Sequence, residues 1–139
     1  MAAILIVDDD TDTRELLTRY LQREGYHVRC ASNGWEALMA LESQVDLILL
    51  DVMMPGMDGI TFLKILRNAQ HKVKAPIILV TALSSTDVEP KVRSFGVADI
   101  LHKTQDLFNH LIPLVKRTLG EQEAAASGAS KRSGSGNTN

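Results

Sequence analysis

Five residues of this chain carry side chains suited to charged-group chemistry and stand where apolar runs stop: Asp8, Asp9, Asp51, Thr81 and Lys103. Three carboxylates brought within a few ångströms would repel one another by about 4 kcal/mol per pair at an effective dielectric near 20. Such a cluster demands a cation or shifted pKa values. Oxygen-only ligands at an open rim suit Mg2+, which keeps waters and shares phosphate oxygens with one or two carboxylates. Lys103 adds a mobile positive point charge suited to a phosphoryl oxygen, and Thr81 offers a hydroxyl donor. One carboxylate can act as nucleophile to form an aspartyl-phosphate. Metal and lysine would neutralise the transferring charge, so catalysis would come from positioning and electrostatics.

These residues need elements that bring them to one place. The run Ile4-Leu5-Ile6-Val7 ends at Asp8, Asp9 and Asp10, and Leu47-Ile48-Leu49-Leu50 ends at Asp51. Continuous apolar runs of this kind read as strands buried on both faces, the signature of a parallel sheet. Their carboxyl ends are where open α/β sheets bind ligands. Helical periodicity follows each strand. Asp10 or Thr11 caps a helix carrying Leu16, Leu17, Tyr20 and Leu21, which Gly25 ends. His27–Ala31 reads as a second strand, and 36–41 as a short helix. Residues 45–50 form the third strand and 60–67 a third helix. Pro76 introduces a fourth strand over Ile77–Thr81. A weak helix is expected over 87–95, with Pro90 tolerated only in its first turn. A fifth strand covers 98–101 and a final helix 107–119.

Five βα units imply a doubly wound α/β fold: a five-stranded parallel sheet of order 2-1-3-4-5 with helices on both faces. In that order the five chemical residues converge on one rim. The domain is read as 1–119. From Gly120 the composition turns to Ala, Ser, Gly and Asn without apolar periodicity, so 120–139 is read as a disordered tail or truncated linker.

With 139 residues, 45% hydrophobic content and net charge −2, the chain is an ordinary globular one. A domain of this size buries roughly two thirds of its unfolded surface and needs no metal or disulfide to fold. The near-neutral balance argues against nucleic-acid binding through a basic surface. Cys30 is the only cysteine, which removes any disulfide framework, and it reads as a buried small hydrophobe. No stretch approaches the ~20 apolar residues needed to span a bilayer. The N-terminus lacks the basic start of a secretory signal, so membrane insertion is not expected and the cytoplasm is the expected location.

On these residues the chain resembles the receiver domains of two-component response regulators, over Ile4 to about Leu119. Asp8-Asp9 looks like the family's acidic pair and Asp51 like its phosphoacceptor. Asp51-Val52-Met53-Met54-Pro55-Gly56-Met57-Asp58-Gly59 is close to the family's characteristic loop. Thr81-Ala82 takes the switch hydroxyl position and Lys103 that of the family lysine. Their separations from Asp51 match as well.

The resemblance implies a flavodoxin-like fold and a phosphorylation-dependent signalling switch. Asp51 would accept a phosphoryl group from a histidine kinase or histidine phosphotransfer protein. Mg2+, with Mn2+ as a substitute, would be held by Asp8, Asp9, Asp51 and the backbone carbonyl of Met53. Thr81 and Lys103 would contact the product phosphoryl group. Such a chain is no enzyme beyond its own phosphoryl transfer and dephosphorylation. Output would pass through the surface around 87–119 to a downstream protein or a second copy, without direct nucleic-acid contact.

Two departures from the family pattern stand out. Ile100 fills a switch position that is usually aromatic, and Thr104 follows Lys103 where proline is usual, so a trans bond is expected there. Met53 and Leu83, at positions that flank the phosphoryl group in the family, are both apolar. They would impede the attacking water without supplying a base and prolong the phosphorylated state. A pseudo-receiver scaffold that binds a partner without phosphorylation is the alternative. A haloacid-dehalogenase-like phosphohydrolase would need a second aspartate where Met53 stands.

Overall fold

Alternate residues of the central strands face opposite layers, and the hydrophobic contacts follow that alternation. The computed structural model of the chain describes residues 2–54, 56–68, 73–82 and 93–127. Its strands are β1 (Ala3–Val7), β2 (His27–Ala31), β3 (Leu47–Leu50), β4 (Ile77–Thr81) and β5 (Asp99–His102). Its helices are α1 (Thr11–Arg23), α2 (Gly34–Ala40), α3 (Gly59–Leu66) and α4 (Leu107–Ser127), with a 3-10 turn at Arg93–Phe95. The sheet is parallel throughout, in the order β2-β1-β3-β4-β5. This is the order read from the sequence.

Leu5, Val7, Ile48, Leu50, Ile77 and Leu79 face a layer built on Ala37, Phe62, Leu63 and Leu66 of α2 and α3. Ile4, Ile6, Leu47, Leu49, Ile78 and Val80 face Leu17 and Leu21 of α1 and Leu111, Val115 and Leu119 of α4. Full burial of each such side chain is worth about 1.5–3 kcal/mol, so both layers hold the rim rigidly.

Asparagine and aspartate set the helix starts. Asp10, Asn33 and Asp58 each accept a hydrogen bond from the backbone N–H three residues on, a cap worth about 1 kcal/mol. Capping by Asn33 starts α2 at Gly34, two residues before the periodicity suggested. Gly25 follows α1 with φ of 95°, a left-handed turn that glycine makes at low cost. Asp46 accepts the Ala3 N–H at 2.7 Å, so β3 begins at Leu47 rather than 45. The fifth strand is shifted one residue from its expected span.

Three expectations change. The helix over 87–95 lies outside the described residues except for its end, which forms the turn Arg93–Phe95 rather than α-helix. The final helix does not stop at 119 but runs on to Ser127. Glutamate, glutamine and alanine are strong helix formers and carry the pattern past the last apolar contact; residues 128–139 are outside the described set. Cys30 is exposed, not buried. It lies on edge strand β2, away from both core layers, with Sγ 3.3 Å from Thr18 Oγ1.

Candidate functional site at the carboxyl rim of the sheet

Register and alternation together bring the acids side by side. Val7 is paired with Leu50 across β1 and β3, so Asp8 and Asp51, one step further, stand abreast. The Asp51 N–H donates to Val7 O at 2.9 Å and extends the ladder to the rim. Asp8 continues the row Ile4–Ile6, and Asp51 continues the row Leu47–Leu49; both rows face the α1 and α4 layer. Lys103 continues the Leu101 position of the same layer, and its N–H donates to Thr81 O at 2.8 Å.

The three side chains meet. Lys103 Nζ donates to Asp51 Oδ2 at 3.0 Å and lies 2.8 Å from Asp8 Oδ2. The second contact is a buried ion pair, and apart from the Lys103 ammonium no donor reaches Asp8 Oδ2 among the described residues. Backbone amides hold the other oxygens: the Asp10 N–H donates to Asp8 Oδ1 and the Met53 N–H to Asp51 Oδ1, each at 3.0 Å. Asp8 and Asp51 are buried, whereas Asp9 is exposed. Carboxylate oxygens of Asp8, Asp9 and Asp51 lie within 4.8 Å of one another. An all-oxygen set of three carboxylates, with one buried oxygen met only by an ammonium, fits a hard divalent cation.

Burial pushes the Asp51 carboxyl above its ordinary value, and the Asp8 charge adds to this. The Met53 N–H and the Lys103 ammonium oppose the shift without cancelling it. For Lys103, burial works against the charged form, but the Asp8 and Asp51 carboxylates outweigh it and its pKa rises. The pairing favours the charged lysine, while burial makes the Asp51 charge costly even with that ammonium beside it.

Comparison with known proteins identifies the family. The sequence pattern of the response regulator receiver domain matches residues 4–114. The chain belongs to the response regulator receiver domain family. The transcriptional regulatory protein ResD of Bacillus subtilis is 50% identical over 80 residues, 57% of this chain and 32% of ResD. The chain spans between 25% and 42% of the length of curated relatives of this kind. Among solved structures, the response regulator TrrA of Thermotoga maritima, in complex with Mg2+–BeF, has TM-score 0.74 and 36% identity. That match covers 85% of this chain and 99% of TrrA. The chemotaxis protein CheY4 of Vibrio cholerae has TM-score 0.75 and 33% identity, covering 85% of this chain and 98% of CheY4.

Within this receiver domain, Thr81 is fully buried at the end of β4. The pairing of Leu50 with Leu79 puts it one step further out than Asp51. Ile100 is half-buried and packs against the α2–α3 layer. Met53 is 56% exposed beside Asp51. Leu83 lies outside the described residues. No described peptide bond is cis, so Lys103–Thr104 is trans.

The sequence reading passed over Arg14. Its Nη1 donates to the Asp8 carbonyl at 2.7 Å and its Nη2 to Thr11 Oγ1 at 3.2 Å. An arginine in the second turn of a helix, six residues after a strand-end acid, is the signal that could have found it. Among the described residues no helix is long and apolar enough to cross a membrane.

Proposed function

We propose that this receiver domain is a signalling switch in which Asp51 is the phosphoacceptor. The observation that supports it most is the meeting of the Asp8, Asp9 and Asp51 carboxylates with Lys103 Nζ at 3.0 Å from Asp51. The donor is a phosphohistidine on a histidine kinase or histidine phosphotransfer protein. A carboxylate oxygen of Asp51 forms a bond to phosphorus as the phosphorus–nitrogen bond breaks. The electron pair of the broken bond stays on the departing imidazole nitrogen, which takes up a proton from solvent.

The chain's own residues position this exchange. The Met53 N–H fixes one Asp51 oxygen by holding Oδ1. Lys103 supplies a positive charge that follows from the carboxylate to the transferred group. Thr81 ends β4 where its hydroxyl can donate to a phosphoryl oxygen. Asp8, Asp9, Asp51 and the Met53 carbonyl would hold Mg2+, which supplies charge neutralisation on the transferring oxygens. Apart from this transfer and the later loss of phosphate, the chain catalyses nothing.

Phosphorylation adds about −1.5 to −2 charge at the rim. Favouring the active state by about 5.5 kcal/mol would turn a 1:99 equilibrium into 99:1. The readout surface runs from the turn Arg93–Phe95 across β5 to α4. A groove of about 520 Å3 lies there, between Ile100 and His102 of β5 and His110, Pro113 and Arg117 of α4. A downstream protein, a second copy or a further domain of a longer regulator would take up this surface, in the cytoplasm.

Incubation with acetyl phosphate and Mg2+, followed by intact mass, tests the reading. A single phosphate adduct that is lost in Asp51→Asn is expected. No adduct would favour a scaffold that binds without phosphorylation, and turnover of an external phosphoester would favour a hydrolase.

A further inference from the structure

The carbonyl that Arg14 holds belongs to the peptide joining Asp8 to Asp9. That one peptide carries two of the three candidate ligands. Its oxygen accepts from Arg14 Nη1 at 2.7 Å. The preceding amide is fixed as well, since the Asp8 N–H donates to Ala31 O at 3.1 Å. Arg14 is itself anchored: its N–H donates to Asp10 O at 3.0 Å and its Nη2 to Thr11 Oγ1. Arg14, half-buried as a residue, thus ties the end of β1 to the first turn of α1.

We infer that Arg14 is a positioning residue for the metal site, orienting the Asp8–Asp9 peptide so that both carboxylates stay turned toward Asp51. The inference rests on the phosphoryl-switch reading and adds to it a residue outside the acidic set. The planar guanidinium suits the task, because its fork reaches a carbonyl and a hydroxyl at once in a fixed geometry. Without it, the strand-end carbonyl of a buried residue loses its donor and the peptide can turn. Residues that orient metal ligands commonly change affinity 10–100-fold when removed.

Charge alone predicts the opposite sign. Arg14 is a cation near a cation site, so deleting its charge without any positioning role would strengthen Mg2+ binding. The direction of the change therefore separates the two roles.

The test is calorimetric titration of the full chain with MgCl2 for wild type, Arg14→Ala and Arg14→Lys, with thermal melts alongside. Arg14→Ala should raise the Mg2+ Kd about tenfold or more. Arg14→Lys, which keeps one donor, should recover most of the affinity. The Mg2+ concentration for half-maximal phosphorylation by acetyl phosphate should rise in parallel, with the rate at saturating Mg2+ unchanged. Equal or tighter Mg2+ binding by Arg14→Ala overturns the inference. If that variant does not fold, Thr11→Val removes the second anchor; a raised Kd supports the role, and an unchanged one overturns it. A wild-type chain that binds no Mg2+ would instead overturn the switch reading itself, a different result from equal affinity in wild type and variant.

Discussion

Lys103 Nζ sits 3.0 Å from Asp51 Oδ2 and also contacts Asp8 Oδ2, so one ammonium bridges carboxylates from two adjacent strands. The bridge stands where two like charges would otherwise face each other in a largely buried rim. It makes the stability of the fold and the readiness of the site depend on the same three groups.

Asp51→Asn should stabilise the chain at pH 7 in Mg2+-free buffer. Burial leads the upward shift of the Asp51 carboxyl, so the folded chain holds that proton more tightly than the unfolded one. Ionisation therefore costs stability, starting near pH 4 and complete once pH passes the folded value. The amide removes this cost and keeps one acceptor oxygen, enough for the Met53 N–H, while the bond from Lys103 to Oδ2 is given up. A rise in Tm of a few degrees at pH 7, closing below about pH 4, is the expected result of melts across that range.

Lys103→Met should cost about 1–3 kcal/mol at pH 7, less than a fully buried pair because the lysine is partly exposed. Burial alone would lower the lysine pKa, but the two carboxylates raise it. In the wild type this contribution is intact below the ordinary lysine value and is lost only as pH rises through the folded one. In acid a second loss sets in: as the Asp51 carboxyl takes up its proton, the lysine loses that partner and the deficit of the variant should shrink. Added Mg2+ should raise its Tm more than that of the wild type, since a cation then replaces the ammonium. Urea unfolding with and without Mg2+ measures both effects.

Gly59→Ala should be far more damaging than Gly34→Ala. A Cβ at Gly59 would meet the Val52 backbone and lie 2.8 Å from Asp51 O, and neither can move without shifting the loop that follows Asp51. At Gly34 the obstacle is the Met57 side chain, which can turn aside. A loss of about 2–3 kcal/mol against about 1 kcal/mol or less is expected from denaturant midpoints.

Met53→Asn should speed loss of phosphate from Asp51. Met53 is exposed beside Asp51, with an apolar side chain that offers a water no partner. One added hydrogen bond to the attacking water is worth about tenfold in rate. Dephosphorylation followed by intact mass gives the rate, and an unchanged value would remove any role of this side chain in the lifetime.

Much of this was legible along the chain. Apolar runs ending in Asp8 and Asp51, and a helical pattern after each strand, suffice for the parallel sheet and its order. Burial of both faces writes a continuous apolar run, and caps such as Asp10 and Asp58 are local signals. Cys30 misled because apolar neighbours in sequence do not reveal that a strand lies at the sheet edge. The extent of α4 was missed because the packing pattern stops at Leu119 while helix propensity does not.

By itself, the sequence determined which residue types stand at which strand ends, because side-chain period and turn chemistry are local properties. The tertiary structure alone decided that Asp8 and Asp51 share one face and both lie in contact with Lys103 Nζ, at 2.8 and 3.0 Å. It also decided that Arg14 reaches the Asp8 carbonyl. Those relations depend on register between strands and on a helix packed against them, over separations that no local pattern encodes.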